Sequence, residues 1–368
     1  MERRRRLPLA VIPIFLLAAV VLASAPLAQS ASAQDQSQPA VATVNVGKGP
    51  AGVAYDSAKG EIFVTDLLNK TVSVISDVTN TLVATVDVGT NPAGVVYDPS
   101  KGEIFVTDAL DNTTSVISDS SNAVIATVNV GAGPTGVACD PVKGEVFVAN
   151  YLGDSVSVIS DATNSVVATV KVGHYPYAPA YDPSKGEIFV TDALDNTTSI
   201  ISEATNAVVA TVGVGGGPAG VAYDRAKGEA FAANYLSGTV SVISDETNAV
   251  VATVKVGAHP TSIAYDSSDG EIFVTNGGNN TVSVISDSAN AVVATVGVGS
   301  NPSGVDYDDA RGEVFAANSG DNTVSVISPG SLSSNSTTAP EFPPASLAVV
   351  AVMVVAAAAL ASRRFHTV

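Results

Sequence analysis

The chain contains no tryptophan, one cysteine, two methionines and three histidines in 368 residues. With Cys139 alone, no intrachain disulfide can form. No Cys-x-x-Cys, His-x-x-His or Cys-x-x-Cys-His occurs, so zinc and covalent haem have no support and no cofactor is expected. Positive charge is equally scarce: 17 Lys and Arg face 35 Asp and Glu, a net charge of −18. No basic patch offsets the acid, and such a surface repels phosphate backbones, which excludes nucleic acid as a partner. Long apolar runs are confined to the two ends of the chain.

What the chain has instead is a repeat. The stretch 257–298 reads GAHPTSIAYDSSDGEIFVTNGGNNTVSVISDSANAVVATVGV. Its apolar runs, at Ser262–Tyr265, Glu271–Thr275, Thr281–Ser286 and Ala291–Val298, are rich in the β-branched and aromatic residues that suit a packed, pleated sheet. Between them Asp, Asn, Ser and Gly supply turn geometry. One unit is therefore a four-stranded antiparallel meander. Its Tyr-Asp step recurs at a constant interval, at Tyr55, Tyr97, Cys139 (in place of Tyr), Tyr181, Tyr223, Tyr265 and Tyr307.

Seven such units predict an all-β chain, a seven-bladed β-propeller, because each small sheet buries its faces only against neighbouring sheets. The third strand, Thr-Val-Ser-Val-Ile-Ser, is apolar or small on both sides, as a blade covered on both faces requires. Six units are complete, whereas the seventh stops at Ser328 without its Val-Val-Ala-Thr-Val strand. The missing piece stands at the other end as Val41-Ala-Thr-Val-Asn-Val46. This N-terminal strand is expected to complete the last blade and remove the open edges of the ring.

Phe273-Val-Thr-Asn276, followed by Thr281-Val-Ser-Val-Ile-Ser286 and Val292-Val-Ala-Thr-Val296, resembles the YVTN repeat family over residues 41 to 328. That family holds seven-bladed propellers, many of them in archaeal surface-layer proteins. Phe replaces the Tyr of the family's name, and Asp66, Asp108 and Asp192 take its Asn position. The resemblance implies an extracytoplasmic propeller and no single activity.

Residues 1–33 read as a secretory signal: Arg3–Arg6, an apolar core from Leu7 to Ala23, and Ala31-Ser-Ala33 as the cleavage site. Removing its four arginines and one glutamate takes the net charge from −18 to −21. Residues 34–40 form a polar spacer. After the propeller, 329–344 is a Ser/Thr/Pro stalk. Residues 345–361 are an uncharged apolar run, just long enough for a thin bilayer, and a basic tail, 362–368, follows. The run is expected to be a transmembrane helix, or a sorting helix, since Pro340-Glu-Phe342 resembles archaeal tails of the PEF type. The expected place is the outer face of the cell membrane, single-pass, with the C-terminus cytoplasmic.

Subtracting the repeat's own aromatics leaves Tyr151, Tyr175, Tyr177 and Tyr235, all placed in loops of one face within blades three to five. With His174 they form the candidate binding sector, for an envelope glycan or protein. Asn69, Asn112, Asn196, Asn279 and Asn335 each open an Asn-x-Ser/Thr sequon and are candidate glycosylation sites. The Asp108–Asp111 and Asp192–Asp195 pairs lack the longer alternation of oxygen ligands that calcium requires, and no metal site is assigned. Cys139 reads as a core substitution rather than a reactive thiol. Inner strands of the form Gly-Val-Ala-Tyr-Asp offer almost no converging carboxylate, His or Arg, and no catalytic residue is expected. The reading is a non-enzymatic, membrane-tethered surface-layer, adhesion or recognition propeller. The alternatives are a lactonase- or quinoprotein-like enzyme and a scaffold for another secreted protein.

Overall fold

The computed structural model describes residues 41–328, and these contain strands and turns only. The expected signal, spacer, stalk, C-terminal helix and tail lie outside the described residues. Blade one shows the local logic. Its strands β2 (Pro50–Asp56), β3 (Glu61–Asp66), β4 (Thr71–Ser76) and β5 (Thr81–Asp87) pair in sequence order. Six four-stranded sheets follow this order around a central channel, and β2 with its counterparts lines it. The inner strands are longer than their apolar runs suggest, because proline opens each. Proline lacks an N–H, so it suits the first residue of these edge strands, and a bulge follows between Pro50 and Val53; blade four carries a second proline, Pro179, just past its own bulge.

Closure occurs as expected. The seventh sheet is ordered β1-β28-β27-β26. Here β26 is Pro302–Asp308, β27 is Glu313–Asn318, β28 is Thr323–Ile327 and β1 is Val41–Asn45. The N-terminal strand runs antiparallel to β28, with Val41 opposite Ile327 and Asn45 opposite Thr323. Both ends of the propeller therefore leave from the rim that carries the Asp-x-x-Lys-Gly-Glu turns.

The core lies between blades. Phe63, Val72, Val74 and Val86 of blade one pack with Val95, Ile104, Val106 and Ile117 of blade two, and the pattern recurs around the ring. This arrangement buries β3 and β4 on both faces, whereas β5 is exposed along most of its length. Each of the seven repeat phenylalanines is at most 1% exposed, a burial worth roughly 2–3 kcal/mol each.

Polar straps cross the same junctions near the channel. Thr65 Oγ1 accepts from Gly52 N at 2.7 Å and donates to Ala93 O of the next blade at 2.9 Å. Where the second strand carries Ala149, Thr135 supplies the hydroxyl instead, to Tyr177 O at 2.8 Å. Blade five has Ala219 and Ala233 at the two positions and so lacks this strap.

Candidate functional site

The rim opposite the chain ends is built from the loop after each second strand and the connection entering the next blade. Each such loop is tied to the connection entering its own blade, as Tyr151 N donates to Gly133 O at 2.9 Å and Tyr235 N to Gly217 O at 3.0 Å. It is also tied to the connection entering the next, as Val172 N donates to Asp154 O at 3.2 Å and Val256 N to Gly238 O at 3.1 Å. This pairing brings residues from separate parts of the repeat side by side.

The structure brings most of the sequence-derived sector together there. Tyr151 stacks on Tyr175 with ring centroids 4.7 Å apart and planes at 13°. Tyr177 meets Tyr151 edge to face at 6.3 Å. Tyr177 departs from expectation in one respect: it belongs to the inner strand β14 (Pro176–Asp182), not to a loop, and it lines the channel mouth. It remains 38% exposed, yet the surrounding ring wall desolvates it and raises its phenol, with Tyr151 and Tyr235 adding to the shift.

His174 is engaged by Asp195. Its Nδ1 lies 3.0 Å from Asp195 Oδ2, and its N–H donates to the same oxygen at 2.8 Å. The hydrogen bond and charge of Asp195 raise the imidazole above its ordinary value.

Tyr235 has a partner that the sequence reading missed. It stacks on His259, with centroids 4.6 Å apart and planes at 13°. The signal was present, since His259 and Tyr175 occupy the same repeat position. Both adopt left-handed backbone, φ 53° and 56°, where Gly49, Asn91, Gly133, Gly217 and Asn301 stand in the other blades. A ring with a Cβ in this region costs roughly 1–2 kcal/mol. Also missed was an arc of leucines on the same rim. Leu68, Leu110, Leu152, Leu194 and Leu236 each have at least half of their surface exposed.

The channel itself encloses about 440 Å³ and is walled mainly by small side chains of the inner strands. One carboxylate enters it. Asp306 stands where the other blades have Ala or Val, so the inner strands are not wholly without an ionisable group. Its oxygens accept from Tyr55 N at 2.8 Å and Tyr307 N at 2.9 Å. Desolvation by the ring outweighs these bonds and pushes its carboxyl up to about 6.

The Asp-x-x-Asp pairs are directed to separate tasks. Asp108 Oδ2 accepts from the Thr113 and Ser115 hydroxyls, and Asp111 Oδ2 accepts from Thr90 N at 2.6 Å. Among the described residues no group of three His, Cys, Asp or Glu side chains is arranged to hold a metal. Asn69, Asn112, Asn196 and Asn279 lie exposed on the aromatic rim. Each side-chain Oδ1 accepts a backbone N–H of the adjoining connection, from Lys48, Gly133, Gly217 and Ala258 respectively. Asn335 lies outside the described residues.

No family model matches the chain, and none of the curated proteins matches it. Solved structures do. Hydrazine synthase of Kuenenia stuttgartiensis aligns with a TM-score of 0.69 at 17% identity, over 76% of this chain and 95% of that one. A streptogramin B lyase aligns with a TM-score of 0.67 at 16% identity, over 78% of this chain and 96% of that one. Identities this low establish the fold they share, a seven-bladed propeller of four-stranded repeats, and not an activity.

Proposed function

We propose that the chain is a non-enzymatic recognition propeller of the YVTN type, tethered at the outer face of a cell membrane by residues 345–361, which binds an envelope glycan or protein through its aromatic rim. The observation that carries this reading is Tyr175 at φ 56°. Folding alone is served better by the Gly or Asn of sibling blades, so a strained, 37% exposed ring supports a binding role. The topology supports it as well. Both chain ends leave from the opposite rim, so an anchor following Ser328 presents the aromatic rim away from the membrane. Sequons in four rim loops fit an extracellular setting.

Glycan-array and pull-down binding with residues 34–330 tests the reading. Combining Tyr151→Ala, Tyr175→Ala, Tyr177→Ala and Tyr235→Ala is expected to abolish binding while changing the melting temperature little. Tyr223→Ala is the control, because Tyr223 stacks on Phe189 and donates to Asp245 Oδ2 at 2.7 Å, and its loss should unfold the blade. A quadruple variant that binds normally but melts early would reduce the cluster to packing.

Asp306 favours a second reading, an enzyme working in the channel. That reading requires turnover, for instance of lactones, that disappears in Asp306→Ala while the rim variants retain it.

A further inference from the structure

The two aromatic stacks are one device used twice. Tyr151–Tyr175 and Tyr235–His259 stand two repeats apart, with centroid distances of 4.7 and 4.6 Å and the same interplanar angle of 13°. In each, the first ring comes from the loop after the second strand and is fixed through its own N–H to a connection carbonyl. In each, the second ring is held in left-handed backbone by the connection to the next blade. Tyr177, on the inner strand of blade four, lines the channel mouth, meets Tyr151 edge to face at 6.3 Å and stands between the blades that carry Tyr151 and Tyr235, which gives the rim a band of rings.

We propose that this band binds a neutral linear polysaccharide at two subsites, Tyr151–Tyr175 and Tyr235–His259, with Tyr177 between them. The inference rests on the reading of the rim as a recognition surface and names its ligand class. A ligand that meets two copies of one geometry is most simply a repeating one. Pyranose rings present C–H faces that lie flat on aromatic faces, and their hydroxyls use short polar groups nearby. Asp154, whose Oδ1 accepts from Tyr175 N at 3.1 Å, and Ser237, whose Oγ accepts from Gly216 N at 2.7 Å, stand beside the two stacks. Charge selects among polysaccharides. The chain carries −18 overall, so uronic-acid or sulfated chains are repelled and neutral ones are accepted.

The test measures binding of the full chain to glucose, mannose and N-acetylglucosamine homo-oligomers of two to eight units, with oligogalacturonate as the charged control. Affinity for one neutral series is expected to rise roughly 10- to 100-fold once the oligomer spans both subsites, because the second contact becomes intramolecular. Tyr235→Ala, His259→Gly and Tyr175→Gly should each remove that gain, because each leaves one subsite, and the long oligomer should then bind no more tightly than a short one. The two glycine variants install the residue of a sibling blade, so the fold is preserved. Binding of a long oligomer unaffected by His259→Gly overturns the second subsite and leaves the rim's recognition role standing. Absence of binding to every neutral oligomer overturns the polysaccharide. If a protein partner is then retained in a Tyr175-dependent manner, the rim reading survives; if nothing depends on the tyrosines, both fall.

Discussion

A single position shows how the repeat tolerates chemical change inside its core. The residue ending each second strand is Asp66, Asp108, Asn150, Asp192, Asn234, Asn276 or Asn318, all fully buried. As Asp it accepts: Asp192 Oδ2 takes the hydroxyls of Thr197 and Ser199 at 3.1 and 2.7 Å. As Asn it donates: Asn150 Nδ2 gives to Ser155 and Ser157 Oγ at 3.1 and 3.0 Å. The hydroxyls rotate to suit either partner. The side chain also fills the space above the glycine that leads into the blade, and a Cβ on Gly173 would collide with Asp192.

Desolvation outweighs these hydrogen bonds and pushes the Asp192 carboxyl from 3.8 up to about 6. A folded-state pKa above the unfolded one means that the fold prefers the protonated acid. Its contribution is fully present below about pH 4 and is lost as pH rises through about 6. Asp192→Asn is therefore expected to raise stability by about 1–3 kcal/mol at pH 7 and by little at pH 4. Denaturant midpoints at the two pH values check this, and an equal change at both would contradict it.

Cys139 makes the opposite exchange, losing a ring the repeat normally supplies. Burial, with Asp98 nearby, pushes its thiol up, which disfavours the thiolate. Two tyrosines at this position stack on the repeat phenylalanine of the preceding blade, Tyr223 on Phe189 and Tyr307 on Phe273, each at 5.9 Å. Cys139→Tyr would place its ring against Phe105 and is expected to stabilise the protein by about 0.5–1.5 kcal/mol, read as a higher melting temperature.

Among the elements, β1 carries the most consequence for its length. It is a short strand, yet it pairs along all of β28 and places Val44, 5% exposed, in the core that joins blade seven to blade one. The seam is held further by Ser303 Oγ donating to Pro50 O at 2.9 Å and by Arg311 Nε at 3.4 Å from Asp77 Oδ2. Deleting residues 41–46 removes the fourth strand and exposes the edge of β28. The deletion is expected to melt at lower temperature or to aggregate, and a parent-like melting curve would contradict the closure. The closing strand was fully legible in the sequence, because a strand missing at one end and present at the other, in the same repeat, has one place to go. The rim stacks were legible only in part. The tyrosines stood out as departures from the repeat, whereas His259 carried a signal only through the repeat position it shares with Tyr175, which a comparison confined to tyrosines passes over.

At the scale of the molecule, charge and connectivity divide the disc into two unlike ends. The Asp-x-x-Lys-Gly-Glu turns gather acid on the rim from which both chain ends depart, and ion pairs such as Lys185–Asp245 and Lys227–Asp287, each at 3.4 Å, cross neighbouring blades there. Partly exposed pairs of this kind contribute modestly. The other rim holds the rings and the leucine arc. If the segment after Ser328 anchors the protein, truncation after Pro329 is expected to release it into the medium, whereas the full chain stays with membranes through an alkaline wash. An equal distribution of the two would refute the anchor.

The sequence alone determined the period, the strand count, the blade number and the closing strand. Those follow from turn residues and β-branched runs at fixed spacing, information carried within a single repeat. Tertiary structure decided what spacing cannot express. Tyr151 meets Tyr175 and Tyr235 meets His259 only because two loops of the repeat are tied together across a blade junction. Tyr177 and Asp306 face the channel because bulged inner strands turn them there. Stacking, strain and desolvation are properties of neighbours, and neighbours that lie far apart along the chain are assigned by the closed ring.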